Sequence, residues 1–212
     1  MRFEAAAARL ATLPERLPAP PAALMPVRTD GGWRQPPIRS AAATARPAAV
    51  LVLVVPGDDG EARVVLTERV DRGGHHSGEV SFPGGRAEPD DPDPAATALR
   101  EAAEEVGLDP VAADVRVIGH LEPFWIPVSD YQVTPVLAIA GRRPELVASP
   151  AEVARIVEAP LGAFLPGGAI EIVEAVVRDG PLRYGAYPVE GLRVWGATAR
   201  ILGQLGALLG PD

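Results

Sequence analysis

Eight apolar residues in a row, AAVLVLVV at positions 48–55, stop at Pro56, and RVVLTER at 63–69 follows across the polar turn GDDG. Apolar runs of this length, rich in β-branched residues and bounded by turn formers, predict two adjacent buried strands joined as a hairpin. The stretch 70–85 is glycine-rich and polar, with a short strand expected around Val80 to Phe82 and a Gly-Gly turn at 84–85. An acidic, proline-broken loop then leads to a helix predicted over Pro94 to Val106. Asp93 is its N-cap, Pro94 its first residue, Gly107 its C-cap and Leu108 its closing apolar contact.

Beyond the helix, VRVIGHLEPF (115–124) and YQVTPVLAIA (131–140) read as strands, with FWIPVSD as the turn between them. Residues 145–165 begin polar, and Glu152 opens a segment leading to a helical turn at PLGAFL. EIVEAVVRDGPLRYGAYPV (171–189) predicts a hairpin turning at Asp179-Gly180. VWGATARILGQLGALL (194–209) predicts an amphipathic closing helix with Trp195, Ala199, Leu202, Leu205 and Leu209 near one face. At the other end, MRFEAAAARLATL predicts a short amphipathic helix, because Glu4 and Arg9 interrupt any apolar core of an export signal. Residues 14–47 are rich in proline, alanine and arginine; they form either an extended arm packed over the domain or a disordered linker, with Trp33 favouring packing. The division expected is residues 1–47 as helix and arm and 48–212 as the main domain. Helices interleaved with mixed strands place the fold in the mixed α/β class, an α/β/α sandwich with a mixed β-sheet between helices.

Composition narrows the function. The chain has 212 residues of which 47% are hydrophobic, enough for a core, but only 5% are aromatic, so aliphatic residues and alanine must do the packing. Cysteine is absent, which removes disulfides, thiolate metal sites and a cysteine nucleophile. A net charge of -8 argues against nucleic acid as a partner, yet leaves room for a small anionic substrate met locally by cations. No run approaches the roughly 18 apolar residues of a membrane span, so no membrane partner and a cytoplasmic location are expected.

The chemistry concentrates in REAAEEVGL (100–108). Glu101, Glu104 and Glu105 stand at helical spacings of three and four, so their carboxylates share a face and repel one another near a helix C-terminus that disfavours anions. A hard divalent cation with oxygen ligands is the natural compensator, and Mg²⁺ accepts one or two carboxylates together with waters and substrate phosphate oxygens. His75, His76 and His120 do not make a zinc site, which requires three or four converging ligands. On their loop, His75 and His76 are either solvated or in contact with a phosphate.

The stretch 82–108, FPGGRAEPDDPDPAATALREAAEEVGL, resembles the Nudix box. Gly85, Arg100, Glu101, Ala102, Glu104, Glu105, Gly107 and Leu108 fill its places. The usual loop glutamate is missing: fourteen residues separate Gly85 from Arg100, one more than the box has, and Glu88, Asp90, Asp91 and Asp93 are offered instead. Upstream, Leu66, Thr67, Arg69, Gly78, Phe82, Pro83, Gly84 and Gly85 resemble the leader of the coenzyme A pyrophosphatase branch, with Val65, Val70 and Gly74 as departures, the last replacing an arginine.

The resemblance implies a Nudix-like fold and a Mg²⁺- or Mn²⁺-dependent hydrolase that splits coenzyme A, or an acyl derivative, into adenosine 3′,5′-bisphosphate and phosphopantetheine. The alternatives are hydrolysis of another nucleoside diphosphate derivative such as ADP-ribose, and a silent nucleotide-binding module. Glu101, Glu104, Glu105 and the backbone of Gly85 are the implied metal ligands. Arg100 orients a box carboxylate, and Glu104 or Glu152 is the candidate general base. Arg69, Arg72, His75, His76, Gly78 and Phe82 are the implied substrate contacts. A homodimer is an open possibility for the assembly.

Overall fold

The computed structural model describes residues 1–30, 45–70, 79–126, 129–177 and 180–210. Trp33, Arg72, Gly74, His75, His76, Gly78 and Asp179, all of them part of the expectations above, lie outside these residues.

In chain order the elements are α1 (Phe3–Leu10), β1 (Val27–Arg28), β2 (Arg46–Pro56), β3 (Ala62–Arg69), β4 (Val80–Ser81), β5 (Gly84–Arg86), α2 (Pro94–Val106), β6 (Val115–His120), β7 (Phe124–Ile126), β8 (Tyr131–Ala140), β9 (Val153–Pro160), β10 (Glu171–Val177), β11 (Gly180–Val189), β12 (Leu192–Val194) and α3 (Gly196–Leu209). The main sheet runs β4-β3-β2-β8-β6, with β5 on β2, β7 on β8 and β9 on β3. β2 and β8 are parallel while the other pairs are antiparallel, which makes the sheet mixed.

Because side chains alternate along a strand, β2 feeds two cores at once. Ala49, Leu51, Leu53 and Val55 face Ala98, Ala102 and Val106 of α2, whereas Val52 and Val54 face Leu10 of α1 and Leu202 and Leu205 of α3. The α/β/α sandwich is therefore present. A run apolar at every position, rather than alternate ones, is what a strand covered on both faces needs. Ala98 and Ala102, both fully buried, give α2 a shallow face that lies close to β2. On the opposite layer, a Cβ on Gly206 would sit 1.8 Å from the Phe164 carbonyl oxygen, so the glycine lets α3 press onto the 3-10 turn Leu161–Phe164.

The N-terminal segment joins this layer. Gln204 Nε2 donates to the Pro18 carbonyl at 3.0 Å, Leu24 is fully buried, and β1 pairs with β11 in a second small sheet, β1-β11-β10, with β12 on β11. No helix among the described residues is long and apolar enough to cross a membrane.

The structure corrects the local expectations in three places. Gly84 and Gly85 form a strand rather than a turn, antiparallel to Ala49 and Val50; a Cβ on Gly84 would lie 2.4 Å from the Ala49 carbonyl oxygen, so glycine is needed for the approach. Phe124–Ile126 is not part of a turn but a strand of its own, antiparallel to Tyr131–Val133 and continuing along β8 in the direction of β6. Residues 153–160, unassigned from the sequence, form β9 along β3.

Candidate metal and diphosphate site

Helix α2 begins and ends as its sequence requires. Asp93 accepts from Ala96 N–H at 2.9 Å with Pro94 in the first turn, and Gly107 at φ 65° closes the other end. There Gly107 N–H donates to the Ala103 carbonyl and Leu108 N–H to Ala102, the paired bonds of a glycine C-cap. Residues 145–153 then take over the free carbonyls of the last turn. Val147 N–H donates to Val106 at 2.9 Å and Ser149 N–H to Glu105 at 2.8 Å.

The three glutamates of the box do not share one environment. Glu105 points inward: its side chain is 5% exposed, and Oε2 accepts Gly84 N–H at 3.1 Å. Burial pushes its carboxyl up to about 7, helped by the charges of Glu101 and Glu152 and opposed by the Gly84 bond and Arg69. Glu101 is half-buried and is also raised by burial, against the pull of Arg100. A Cβ on Gly85 would fall 2.5 Å from the Glu101 carboxylate, so the missing side chain on β5 is what leaves room for that carboxylate. Glu104, 60% exposed, turns to the rim and pairs with Arg100 at 3.3 Å.

Of the acids in the loop, Asp91 is the one that pairs with Arg100. Its carboxylate receives Arg100 Nε at 3.2 Å and Nη2 at 3.0 Å, the Thr97 hydroxyl at 2.9 Å and Glu88 N–H at 2.9 Å. The Arg100 guanidinium beside it holds the Asp91 carboxyl well below the usual carboxylate range. The same guanidinium donates to Glu101 Oε1 at 3.0 Å and to the Arg86 carbonyl at 3.1 Å. Arg100 thus ties loop, β5 and helix together and aims Glu101. No pattern in the sequence marks Asp91 over its acidic neighbours; the extra loop residue hides it.

Glu152 reaches this site through the backbone. Its carbonyl accepts Val70 N–H at 3.0 Å and its N–H donates to Ser149 at 3.0 Å, so it sits between the end of α2 and the end of β3. Its exposed carboxylate is close enough to raise both Glu101 and Glu105. Arg69, at the end of β3, has Nη1 4.0 Å from Glu105 Oε1. Phe82, 2% exposed, lies in the core on the α1 and α3 side of the sheet, beneath the chain that enters β5. His120 is exposed at the end of β6.

Profile comparison matches the NUDIX domain over residues 45–158, a span that runs from the start of β2 into β9 and holds all of Gly84, Gly85, Glu101, Glu105 and Glu152. The chain belongs to the Nudix family. It is 37% identical over 180 residues to the uncharacterized Nudix hydrolase NudL of Citrobacter koseri, covering 83% of this chain and 89% of that one. It is 41% identical over 161 residues to Nudix hydrolase 15, mitochondrial, of Arabidopsis thaliana, covering 73% of this chain and 55% of the plant protein. The chain therefore spans about half the length of that plant relative. The crystal structure of the Nudix hydrolase RenU from M. smegmatis aligns with a TM-score of 0.46 at 25% identity, over 56% of this chain and 73% of that one.

A divalent cation fits the Nudix residues present. Among the described residues no three acidic or imidazole side chains already converge on one point. The donors at hand are instead two carboxylates, Glu101 and Glu105, held together on one helix face in a cradle that a Cβ on Gly85 would fill. An all-oxygen pair that leaves other positions to water and phosphate suits Mg²⁺ or Mn²⁺ and not zinc. A polar groove of about 380 Å³ elsewhere, between Asp58, Arg63, Arg143 and Glu158, is no rival. Its arginines are already paired, Arg63 with Asp59 at 2.7 Å and Arg143 with Glu158 at 3.0 Å.

Proposed function

We propose that this protein hydrolyses the diphosphate of a nucleoside diphosphate derivative with Mg²⁺ or Mn²⁺, and that its substrate is coenzyme A or an acyl derivative, cut to adenosine 3′,5′-bisphosphate and phosphopantetheine. The observation that carries the hydrolase reading is the inward pair Glu101 and Glu105 opposite the glycines of β5. Arg100 meets one edge of Glu101 and Arg69 stands 4.0 Å from Glu105, so the pair of carboxylates leaves a place where a cation can join them. The leader Leu66, Thr67, Arg69, Phe82-Pro83-Gly84-Gly85, whose resemblance is to the coenzyme A branch, supports the narrower substrate.

Glu101 and Glu105 would hold the cation, with Glu104 at the rim and the Gly85 backbone alongside. Such an ion supplies charge neutralisation at the diphosphate and acidifies water. The remaining work falls to the chain. Asp91 and Arg100 orient Glu101, Glu152 takes the proton of the attacking water, and Arg69 meets a phosphate as the substrate enters. Arg72, His75, His76 and Gly78 are assigned to the same substrate side by their place in the leader, with buried Phe82 packed in the core just ahead of β5.

The test is a product assay with coenzyme A, acetyl-coenzyme A, ADP-ribose and dinucleoside polyphosphates, each with Mg²⁺ and Mn²⁺. Release of adenosine 3′,5′-bisphosphate from coenzyme A at the highest specificity constant is expected. Preference for ADP-ribose would keep the hydrolase and overturn the substrate, and no turnover of any diphosphate would overturn both.

A further inference from the structure

Arg100 and Arg69 are the two cations described next to the box carboxylates, and they differ in one respect. Arg100 is spent: its guanidinium is bonded to Asp91, Glu101, Glu104 and the Arg86 carbonyl. Arg69 is anchored chiefly through its backbone. Its N–H donates to the Glu79 carbonyl at 3.1 Å, and it pairs with Val153 just past a register slip in β9. Its side chain is 43% exposed and faces Glu105 at 4.0 Å, an ion pair too long for a hydrogen bond. Among the described residues the guanidinium makes no other ion pair. A fixed root and a loosely held, half-solvated charge describe a side chain that can leave its partner easily.

Glu105 cannot serve two cations equally. Its Oε2 accepts Gly84 N–H while Oε1 faces Arg69, so an ion that joins Glu105 to Glu101 through Oε1 competes with the guanidinium for that oxygen. Resting on the metal reading above, we propose that Arg69 is the counter-ion of Glu105 in the metal-free protein, and that divalent cation binding displaces it toward the phosphate of the substrate. The arginine is a positioning residue that couples the two loading steps: the ion takes the carboxylate, and the freed guanidinium becomes a phosphate ligand. Linkage then requires that Arg69 oppose metal binding when no phosphate is present and support phosphate binding once metal is bound.

Mn²⁺ binding to the metal-free 212-residue chain, followed by loss of the free Mn²⁺ paramagnetic signal, tests this with no turnover involved. The comparison is wild type, Arg69→Gln and, as control, Arg155→Gln, which removes an exposed cation paired with Glu68 instead. Arg69→Gln should bind Mn²⁺ about threefold to tenfold more tightly, while Arg155→Gln stays within about twofold of wild type. With ADP as the phosphate probe, Arg69→Gln should leave metal-free affinity unchanged and lower metal-loaded affinity about tenfold. Unchanged or weaker Mn²⁺ binding in Arg69→Gln overturns the proposal, and so does equal tightening in the control. Absence of Mn²⁺ binding by wild type overturns the metal reading as well, so the two failures are distinct.

Discussion

Glu105→Gln turns the electrostatics of the site into a stability measurement. In the folded, metal-free protein the Glu105 carboxyl is pushed up to about 7 from 4.5, chiefly by burial. A carboxyl raised on folding binds its proton more tightly in the folded state. Its stabilising contribution is therefore complete below pH 4.5, is lost as pH rises through about 7, and stays lost above that. The shift corresponds to about 3–4 kcal/mol at most, and to nearer 2 kcal/mol once water in the cleft is allowed for. Glutamine keeps the shape and an oxygen for Gly84 N–H but cannot ionise.

In chelator, the variant should match wild type at about pH 4 and exceed it by about 2 kcal/mol at pH 8, a gain of roughly 4–8 °C in Tm for a chain of this size. Saturating Mn²⁺ should raise the wild-type Tm at pH 8 and leave the variant nearly unmoved. Carboxylates remote from Glu105 titrate in both proteins and cancel in the difference. Parallel pH profiles for the two proteins in chelator, or a variant less stable at pH 8, would refute the claim that Glu105 is held at a loss until a cation arrives.

Gly206→Ala sets two effects against each other. Alanine improves helix propensity by about 1 kcal/mol, but its Cβ would meet the Phe164 carbonyl oxygen at 1.8 Å, and overpacking against backbone costs about 1–3 kcal/mol or more. Urea unfolding should show net destabilisation, and a variant as stable as wild type would mean that α3 can slide off the 3-10 turn. Asp91→Asn removes the charge that anchors Arg100, so Glu101 loses its aim. Mn²⁺ affinity should fall about tenfold while the far-ultraviolet circular dichroism is kept, and unchanged affinity would confine Asp91 to holding the loop.

What the sequence determined by itself was whatever is encoded locally. The limits of α2 follow from Asp93, Pro94 and Gly107, each acting within one turn of itself, and they appear where the residues place them. The buried strands β2 and β8 are legible because a run apolar at every position has nowhere to go but between two layers. The short strands were not. β5 contains two glycines and reads as a turn; it is a strand only because β2 lies alongside. β9 is broken by Arg155 and Glu158, charges tolerated because they meet Glu68 and Arg143 from other segments. The site divides the same way. Helical spacing puts Glu101 and Glu105 on one face, but spacing assigns Glu104 to the same group, and only packing against β5 buries one glutamate, half-buries the second and leaves the third at the rim. Asp91 and Glu152 lie far from the helix face along the chain. Their approach to it depends on a loop folding back onto Arg100 and on β9 beginning beside the end of β3; the sequence offered Glu152 as a candidate and Asp91 among four loop acids, and tertiary contacts brought both to the helix.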